Sequence, residues 1–381
     1  MDAQRHEFWR GRTDVMTPTS KKFRVLIVDD SAFMCRVLKD IISSDPQLEV
    51  VGQARDGSEG VSLADSLQPD VITMDINMPR VDGLQATEMI MTRHPRPIVI
   101  VSSESREGAD STLRALELGA IDFVPKPSTG VDLDMKTVGE DLTRKLKLAA
   151  KVRVVRTATL SKIPAGHAPV ATVARSAASL QSGGRAPMVA IAASTGGPAA
   201  VMRLVSGLSS EMPAPIFLVL HMPAAFTKQF ATQLSEVSQL PVKEAEHNEV
   251  PLPGTIYLCP GSHHLRISST GNIALDSGAR IDGYRPCADV AFETLASYAR
   301  TLAMGVVLTG MGADAARGAK AIKTVGGFVV AQDEASSVIF GMPSEAIKAG
   351  AVDQVLPLDE IAGAIERRVA KLSRLVPAVV R

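Results

Sequence analysis

The sequence predicts an α/β protein of two doubly wound, parallel-sheet domains joined by a flexible linker. Three observations carry this. From Phe23 onward, short apolar runs alternate with amphipathic helical stretches. The apolar runs are near-continuous, the pattern of strands covered on both faces. The alternation stops over residues 146–186, a stretch rich in Ala, Ser, Gly, Pro and Arg without a sustained period, and resumes at Met188. The reading divides the chain into a disordered extension (1–22), a first domain (23–145), the linker (146–186), a second domain (187–374) and a tail (375–381). A helix through VATVARSAASL is the alternative within the linker, and Met16 is a second candidate start.

In the first domain, FRVLIVDD (23–30) is a buried strand ending in two acids. Met34, Val37, Leu38 and Ile41 follow at i, i+3, i+4, i+7, one face of a helix. LEVVGQA (48–54) and VITMDI (71–76) are the next strands. Asp82-Gly83 opens a further helix, and PIVIVSS (97–103) and DFVPKP (122–127) complete five strands. In the second domain, MVAIAAS begins a strand, followed by a helix to about Leu208, the strand PIFLVLHM (215–222) and the helix AAFTKQFATQLSEV. Residues 241–280, rich in Gly, Pro and His, predict inserted β-hairpins. Alternation returns with the helix ADVAFETLASYAR, the strand GVVLTGM, the helix ADAARGAKAIKTV and the strand FVVAQD. A short helix after Pro343 and a terminal helix from Asp359 end the pattern.

Composition narrows the function. The chain is 45% hydrophobic and 22% charged, ordinary for a soluble globular protein. Forty-one basic and 41 acidic residues balance, which argues against nucleic acid or an anionic membrane as partner. Cys35, Cys259 and Cys287 are scattered with no metal spacing, as buried thiols in a reducing cytoplasm are. No apolar run has the length of a membrane span, so membrane insertion is not expected.

Four strand ends in the first domain carry unusual polar residues: Asp29 with Asp30, Asp75, Ser102 and Lys126. Open parallel sheets bind ligands at the carboxyl ends of their strands. Gathered there, three carboxylates repel one another and form a hard-oxygen site suited to Mg²⁺, which keeps some of its waters and leaves room for a phosphoryl group. Asp75 is placed to attack that group, with lysine and hydroxyl bearing the charge that develops. The ordinary alternative, helix capping, applies to Ser31 or Asp82 taken singly but not to the whole set.

The second domain has its own strand-end set. Ser194 ends its first strand, His221 its second, and Asp314 follows a third in VVLTGMGADA. A serine is a poor nucleophile until a base takes its proton, and the base needs an orienting acid. The TGGP after Ser194 lets the backbone approach closely and aims helix N–H groups at the serine. It departs from the GxSxG elbow, because Ala192 replaces the first glycine. TGMGAD offers exposed N–H groups for an oxyanion, Met311 first among them. His263 and His264 are read as loop residues, and Met222 and Met311 as pocket wall.

LIVDDS, MDINMPRVDG, VSS and FVPKP, in order over residues 22 to 145, resemble the receiver domain of two-component response regulators. The resemblance implies a flavodoxin-like fold in which Asp75 is the phosphoacceptor. It also implies that Asp30, Asp75 and the Asn77 carbonyl bind Mg²⁺ directly, with Asp29 acting mostly through water. Ser102 and Lys126 would hold the phosphoryl oxygens, and Phe123 stands at the rotating-aromatic position. Over residues 188 to 372, ASTGGP, HMPAAFTKQFATQL, YLCPGSHHLRI, RPCADVAFETLA, GVVLTGMGADAARG and QDEASSVIFGMPSEAIKAGAVDQVLPL resemble the chemotaxis protein-glutamate methylesterases, the CheB family.

That likeness implies a Rossmann-like serine hydrolase with Ser194 as nucleophile, His221 as base and Asp314 as its orienter. Thr195 would lie beside the nucleophile and Met311 would serve the oxyanion, with no cofactor for the ester chemistry. It further implies glutamate γ-methyl esters of chemoreceptors as substrate, receptor glutamines as a second substrate, a histidine kinase as phosphodonor, and phosphorylation that relieves occlusion by the receiver. A cytoplasmic monomer is expected. Two positions depart from the family pattern: Leu220 where glutamine is common, and Ala315 where glycine is common, the latter stiffening the loop that carries Asp314. A non-catalytic, phosphorylation-dependent adaptor is the rival reading, against which the intact Ser-His-Asp set stands.

Overall fold

The computed structural model describes residues 21–103, 105–126, 132–152 and 186–375. Most of the extension expected over 1–22, of the linker over 146–186 and of the tail over 375–381 lies outside the described residues.

The first sheet is built from β1 (Phe23–Val28), β2 (Leu48–Ala54), β3 (Val71–Met74), β4 (Ile98–Ser102) and β5 (Asp122–Pro125). They lie parallel in the order β2-β1-β3-β4-β5. All four residues of β3 and all five of β4 are buried, as continuous apolar strands between two helix layers must be. The crossovers are α1 (Ala32–Ser44), α2 (Gly57–Leu67), α3 (Gly83–Arg93), α4 (Arg106–Glu117) and α5 (Asp132–Ala149). Ser31, Asp56, Asp82 and Ser105 each cap a helix by accepting an N–H from its first turn. α5 runs to Ala149, past residue 145, where the sequence pattern ends the first domain.

The second sheet holds β6 (Met188–Ala193), β7 (Ile216–Leu220), β8 (Val242–Glu244), β9 (Ile256–Leu258), β12 (Ala303–Val307), β13 (Phe328–Gln332) and β14 (Gln354–Leu356). Its order is β14-β13-β12-β6-β7-β9-β8, parallel throughout. The hairpins expected over 241–280 are corrected here. β8 and β9 join the main sheet as parallel strands, and only β10 (His264–Ile267) with β11 (Ile273–Asp276) forms a hairpin. Apolar character at three-residue length does not distinguish the two arrangements. β14, half exposed at the sheet edge, has no apolar run and was not anticipated. His264, expected in a loop, opens β10 and is buried.

Helices α6 (Gly197–Ser206), α7 (Ala224–Val237), α8 (Ala288–Ala299), α9 (Ala316–Thr324), α10 (Met342–Lys348) and α11 (Leu358–Leu375) cover this sheet. The two domains meet where α4 packs against α6 and α7. One apolar core runs from Ile72 and Ile100 of the first sheet across to Phe226 and Phe230 of α7. At its centre the rings of Phe123 and Phe226 lie 4.4 Å apart at 44°.

Candidate active site and phosphorylation site

The chain enters the second sheet at β6, lays β7, β9 and β8 to one side, then returns to lay β12 and β13 on the other. The crevice at such a reversal is where parallel sheets bind ligands. Strands β12, β6 and β7 are adjacent, so the residues after their carboxyl ends meet. The ladder continues past the strands: Leu308 N–H donates to the Ala192 carbonyl at 2.9 Å, Ser194 N–H to Thr309 at 3.1 Å, and His221 N–H to Ala193 at 3.3 Å. Ser194 and His221 are therefore held on backbone that is still sheet.

Ser194 Oγ lies 3.1 Å from His221 Nδ1, and His221 Nε2 lies 2.7 Å from Asp314 Oδ2. Asp314 is 5% exposed and sits against the amino end of α8. Its carboxylate accepts N–H bonds from Ala288 at 2.7 Å, Asp289 at 2.8 Å and Ala315 at 2.9 Å, and the Cys287 thiol donates at 3.2 Å. Burial by itself would raise the pKa of this carboxyl. The His221 hydrogen bond and charge and the helix N–H groups outweigh it and bring the carboxyl to about 2. An ionised carboxylate only accepts, so the shared proton of the pair rests on Nε2 and leaves Nδ1 as an acceptor facing the serine hydroxyl. Burial and the Asp314 charge push the Cys287 thiol up to about 12, which makes it a neutral donor to the carboxylate.

The turn after Ser194 explains TGGP. Gly196 takes φ 74°, Gly197 N–H donates to the Ser194 carbonyl at 2.6 Å, and Pro198 falls in the first turn of α6. Thr195 is buried, and its carbonyl accepts from Thr309 Oγ1 at 3.0 Å. Thr309 is fixed in turn by Gln332, whose Oε1 accepts its N–H at 2.8 Å, and Gly310 N–H donates to the Ile339 carbonyl at 3.0 Å. The next residue, Met311, is half-buried, and its N–H meets no acceptor among the described residues. Met222 is buried in the apolar core and Cys35, Cys259 and Cys287 are all buried thiols.

Two neighbours were not singled out from sequence. Cys287 holds Asp314, and the Tyr284 ring stacks on His221 with centroids 4.1 Å apart at 15°. Both fall in a loop without periodicity. Their only signal is proximity in the chain to the helix start that holds Asp314.

In the first domain, the ends of β1, β3 and β5 bring Asp29, Asp30, Asp75 and Lys126 together. Lys126 Nζ lies 2.8 Å from Asp75 Oδ2 and 3.0 Å from Asp29 Oδ2. Burial lifts Asp75 above the ordinary carboxylate value against the pull of Lys126. Burial would lower Lys126, and Asp75 and Asp29 more than offset it. Asp29, Asp30 and Asp75 each offer an oxygen within 4.8 Å of the others, with the Lys126 ammonium beside two of them. Three carboxylates gathered so closely, with one ammonium among them, fit a hard divalent cation. The exposed Asn77 follows two residues after Asp75. Ser102 Oγ is turned to the Gly108 carbonyl in the first turn of α4, 3.3 Å away, and Phe123 is 3% exposed against α7.

Two family descriptions match the chain: a response regulator receiver domain over residues 25–137 and a CheB methylesterase over residues 189–365. A protein-glutamate methylesterase/protein-glutamine glutaminase of Pyrococcus abyssi is 43% identical over 368 residues, 93% of this chain and 95% of the relative. Its counterpart in Pyrococcus horikoshii is 44% identical over 355 residues, 90% of this chain and 92% of the relative. A crystal structure of the Thermotoga maritima CheB methylesterase catalytic domain is 38% identical, covers 48% of this chain and 98% of that one, and has a TM-score of 0.47. With two parallel-sheet domains in this order and relatives above 40% identity along nearly its whole length, the chain belongs to the CheB methylesterase family, hydrolases that carry a response-regulator receiver domain.

Proposed function

We propose that the protein is a phosphorylation-activated protein-glutamate methylesterase of cytoplasmic chemoreceptor segments, with Ser194, His221 and Asp314 as its triad. The hydrogen-bonded row Ser194–His221–Asp314, at 3.1 and 2.7 Å, carries the reading. Ser194 Oγ attacks the γ-carbonyl of a glutamate methyl ester while Nδ1 of His221 takes its proton. Asp314 holds the imidazole and stabilises the imidazolium that forms. The oxyanion is met by the Met311 N–H, beside Thr195 and the amino end of α6. Collapse expels methanol, protonated by His221, and water then hydrolyses the acyl-enzyme with His221 as base. Receptor glutamines would pass through the same acyl-enzyme with ammonia as leaving group, a reading supported by the names of the relatives.

In the receiver, Asp75 accepts a phosphoryl group from a histidine kinase. Asp30, Asp75 and the Asn77 carbonyl would hold Mg²⁺, with Asp29 beside them; when bound, the ion neutralises charge developing on the phosphoryl oxygens. Lys126 pairs with the product. Ser102 leaves the Gly108 carbonyl to bind a phosphoryl oxygen, which acts on the first turn of α4, the helix that packs on α6 and α7. Phe123 then has reason to leave Phe226, and the docking of the two domains weakens. The division at residues 145–146 and 186–187 and a monomeric state complete the proposal. Among the described residues no helix is long and apolar enough to cross a membrane.

The test is methanol release from methylated receptor membranes, with and without a small-molecule phosphodonor and Mg²⁺. Wild type should respond to the phosphodonor, Ser194→Ala should release nothing, and Asp75→Ala should keep only the basal rate. Release that survives Ser194→Ala would overturn the triad.

A further inference from the structure

Two hydrogen bonds hold the nitrogen edges of the His221 ring and leave its faces to be supported by packing. The face of the ring is opposed by Tyr284, nearly parallel at 4.1 Å and 15°. Tyr284 is itself fixed. Ile281 and Tyr284 exchange backbone hydrogen bonds of 3.0 and 2.9 Å, and the Arg280 guanidinium donates to the Gly283 carbonyl at 3.3 Å. The Arg285 guanidinium donates to the Ser277 and Gly278 carbonyls at 3.0 and 2.9 Å. The phenol extends from the base to the oxyanion loop: a Cβ on Gly312 would stand 2.5 Å from Tyr284 Oη. The hydroxyl therefore borders Gly312, the residue after Met311, whose N–H the triad reading assigns to the oxyanion. On its other side the phenol lies within electrostatic reach of the Arg144 guanidinium, on α5 of the receiver, where Arg144 also pairs with Asp141.

We propose that Tyr284 is a positioning residue for His221, and that Arg144 of the receiver holds its phenol against the oxyanion loop, so that one side chain joins the receiver to the catalytic base. The ring keeps the imidazole aligned with Ser194 and Asp314 in every state of the enzyme. The hydroxyl, held by Arg144 while the domains are docked, narrows the approach to Met311 and is released when α5 moves away. This rests on the triad reading above and adds to it a residue-level route by which the receiver restrains the site.

The experiment uses the full chain as wild type, Arg144→Ala, Tyr284→Phe, Tyr284→Leu and Tyr284→Ala, each with and without phosphodonor and Mg²⁺. Two readouts are taken: the rate at which a fluorophosphonate probe labels Ser194, and kcat and KM for methanol release. Thermal unfolding identifies any variant that fails to fold. Arg144→Ala and Tyr284→Phe should raise the labelling rate without phosphodonor about three- to ten-fold, and phenylalanine should preserve the phosphorylated kcat because it keeps the stack. Tyr284→Ala and Tyr284→Leu should lower the phosphorylated kcat about three- to ten-fold, the worth of one aromatic pair, with KM little changed. A wild-type phosphorylated kcat in folded Tyr284→Leu would overturn the positioning role. An unchanged basal labelling rate in Arg144→Ala would overturn the link to the receiver. If wild type labels at Ser194 but releases no methanol, the substrate reading fails, and the labelling rates still decide this proposal.

Discussion

Replacing Gly310 by alanine should disable the site without removing any functional group. A Cβ at this position would stand 2.9 Å from Ser194 Cβ and 3.0 Å from Ser194 N, as well as 2.3 Å from Met342 Sδ. The methionine sulfur ends a flexible side chain and can move. The serine cannot easily do so, because its N–H is bonded to Thr309 and its strand lies between β12 and β7. Carbon atoms not bonded to each other rest about 3.5–4.0 Å apart, so one of the two backbones must yield by roughly 1 Å. Gly310 is pinned from behind by its bond to Ile339 and by Gly341 and Met342, whose N–H groups donate to its carbonyl at 3.1 and 2.8 Å. The displacement is therefore divided between two pinned backbones, and the share that Ser194 takes acts on a 3.1 Å contact with His221 that has little slack. Overpacking of this kind costs about 1–3 kcal/mol of stability, and misplacing a reacting group by about 1 Å costs on the order of 100-fold in rate. Fluorophosphonate labelling of Ser194, methanol release and urea denaturation together measure both effects. Gly350→Ala is the control, since it is strained at φ 63° but meets only Lys320 Nζ at 3.9 Å. Wild-type labelling and kcat in Gly310→Ala would refute the reasoning, as would an equal loss of activity in Gly350→Ala.

The low pKa of Asp314 makes part of the stability pH-dependent. Its carboxyl lies at about 2 against an ordinary 3.8, a difference worth about 2 kcal/mol. Because the folded value is depressed, this contribution is complete above the unfolded pKa and is lost as pH falls through the folded one. Urea denaturation of wild type and Asp314→Asn should show a gap that closes below about pH 4; a gap constant from pH 7 to pH 3 would contradict it. Ala315 adopts φ 77° and is fully buried, so Ala315→Gly relieves about 1–2 kcal/mol of left-handed strain. It also loses a buried methyl worth about 0.8 kcal/mol and gains unfolded-state freedom worth about 0.4–1 kcal/mol. Its measured stability should stay within about 1 kcal/mol of wild type, and a loss twice as large would mean that the strain is absent. Phe226→Ala should cost about 3–5 kcal/mol in urea denaturation, because the ring is fully buried against Phe123; a loss below about 1 kcal/mol would show that the domain contact carries no packing energy.

Much of the fold was legible because its signals are local. Continuous apolar runs such as VITM and the capping residues Ser31 and Asp82 state their structure within a few positions of themselves. The residues Ser194, His221 and Asp314 could be named because each follows a strand, and the ends of neighbouring parallel strands converge whatever lies between them in sequence. The hairpin expected at β8 and β9 failed for the converse reason: a three-residue strand does not record its partner, and the pairing was decided by the open edge beside β7. Tertiary structure alone decided which imidazole nitrogen faces the serine, since that depends on Asp314 being buried against α8. It also set Tyr284 across the ring, Arg144 beside the phenol, and Phe123 on Phe226. Those contacts join elements far apart in the chain, and they exist only where two separately folded layers come to rest against each other.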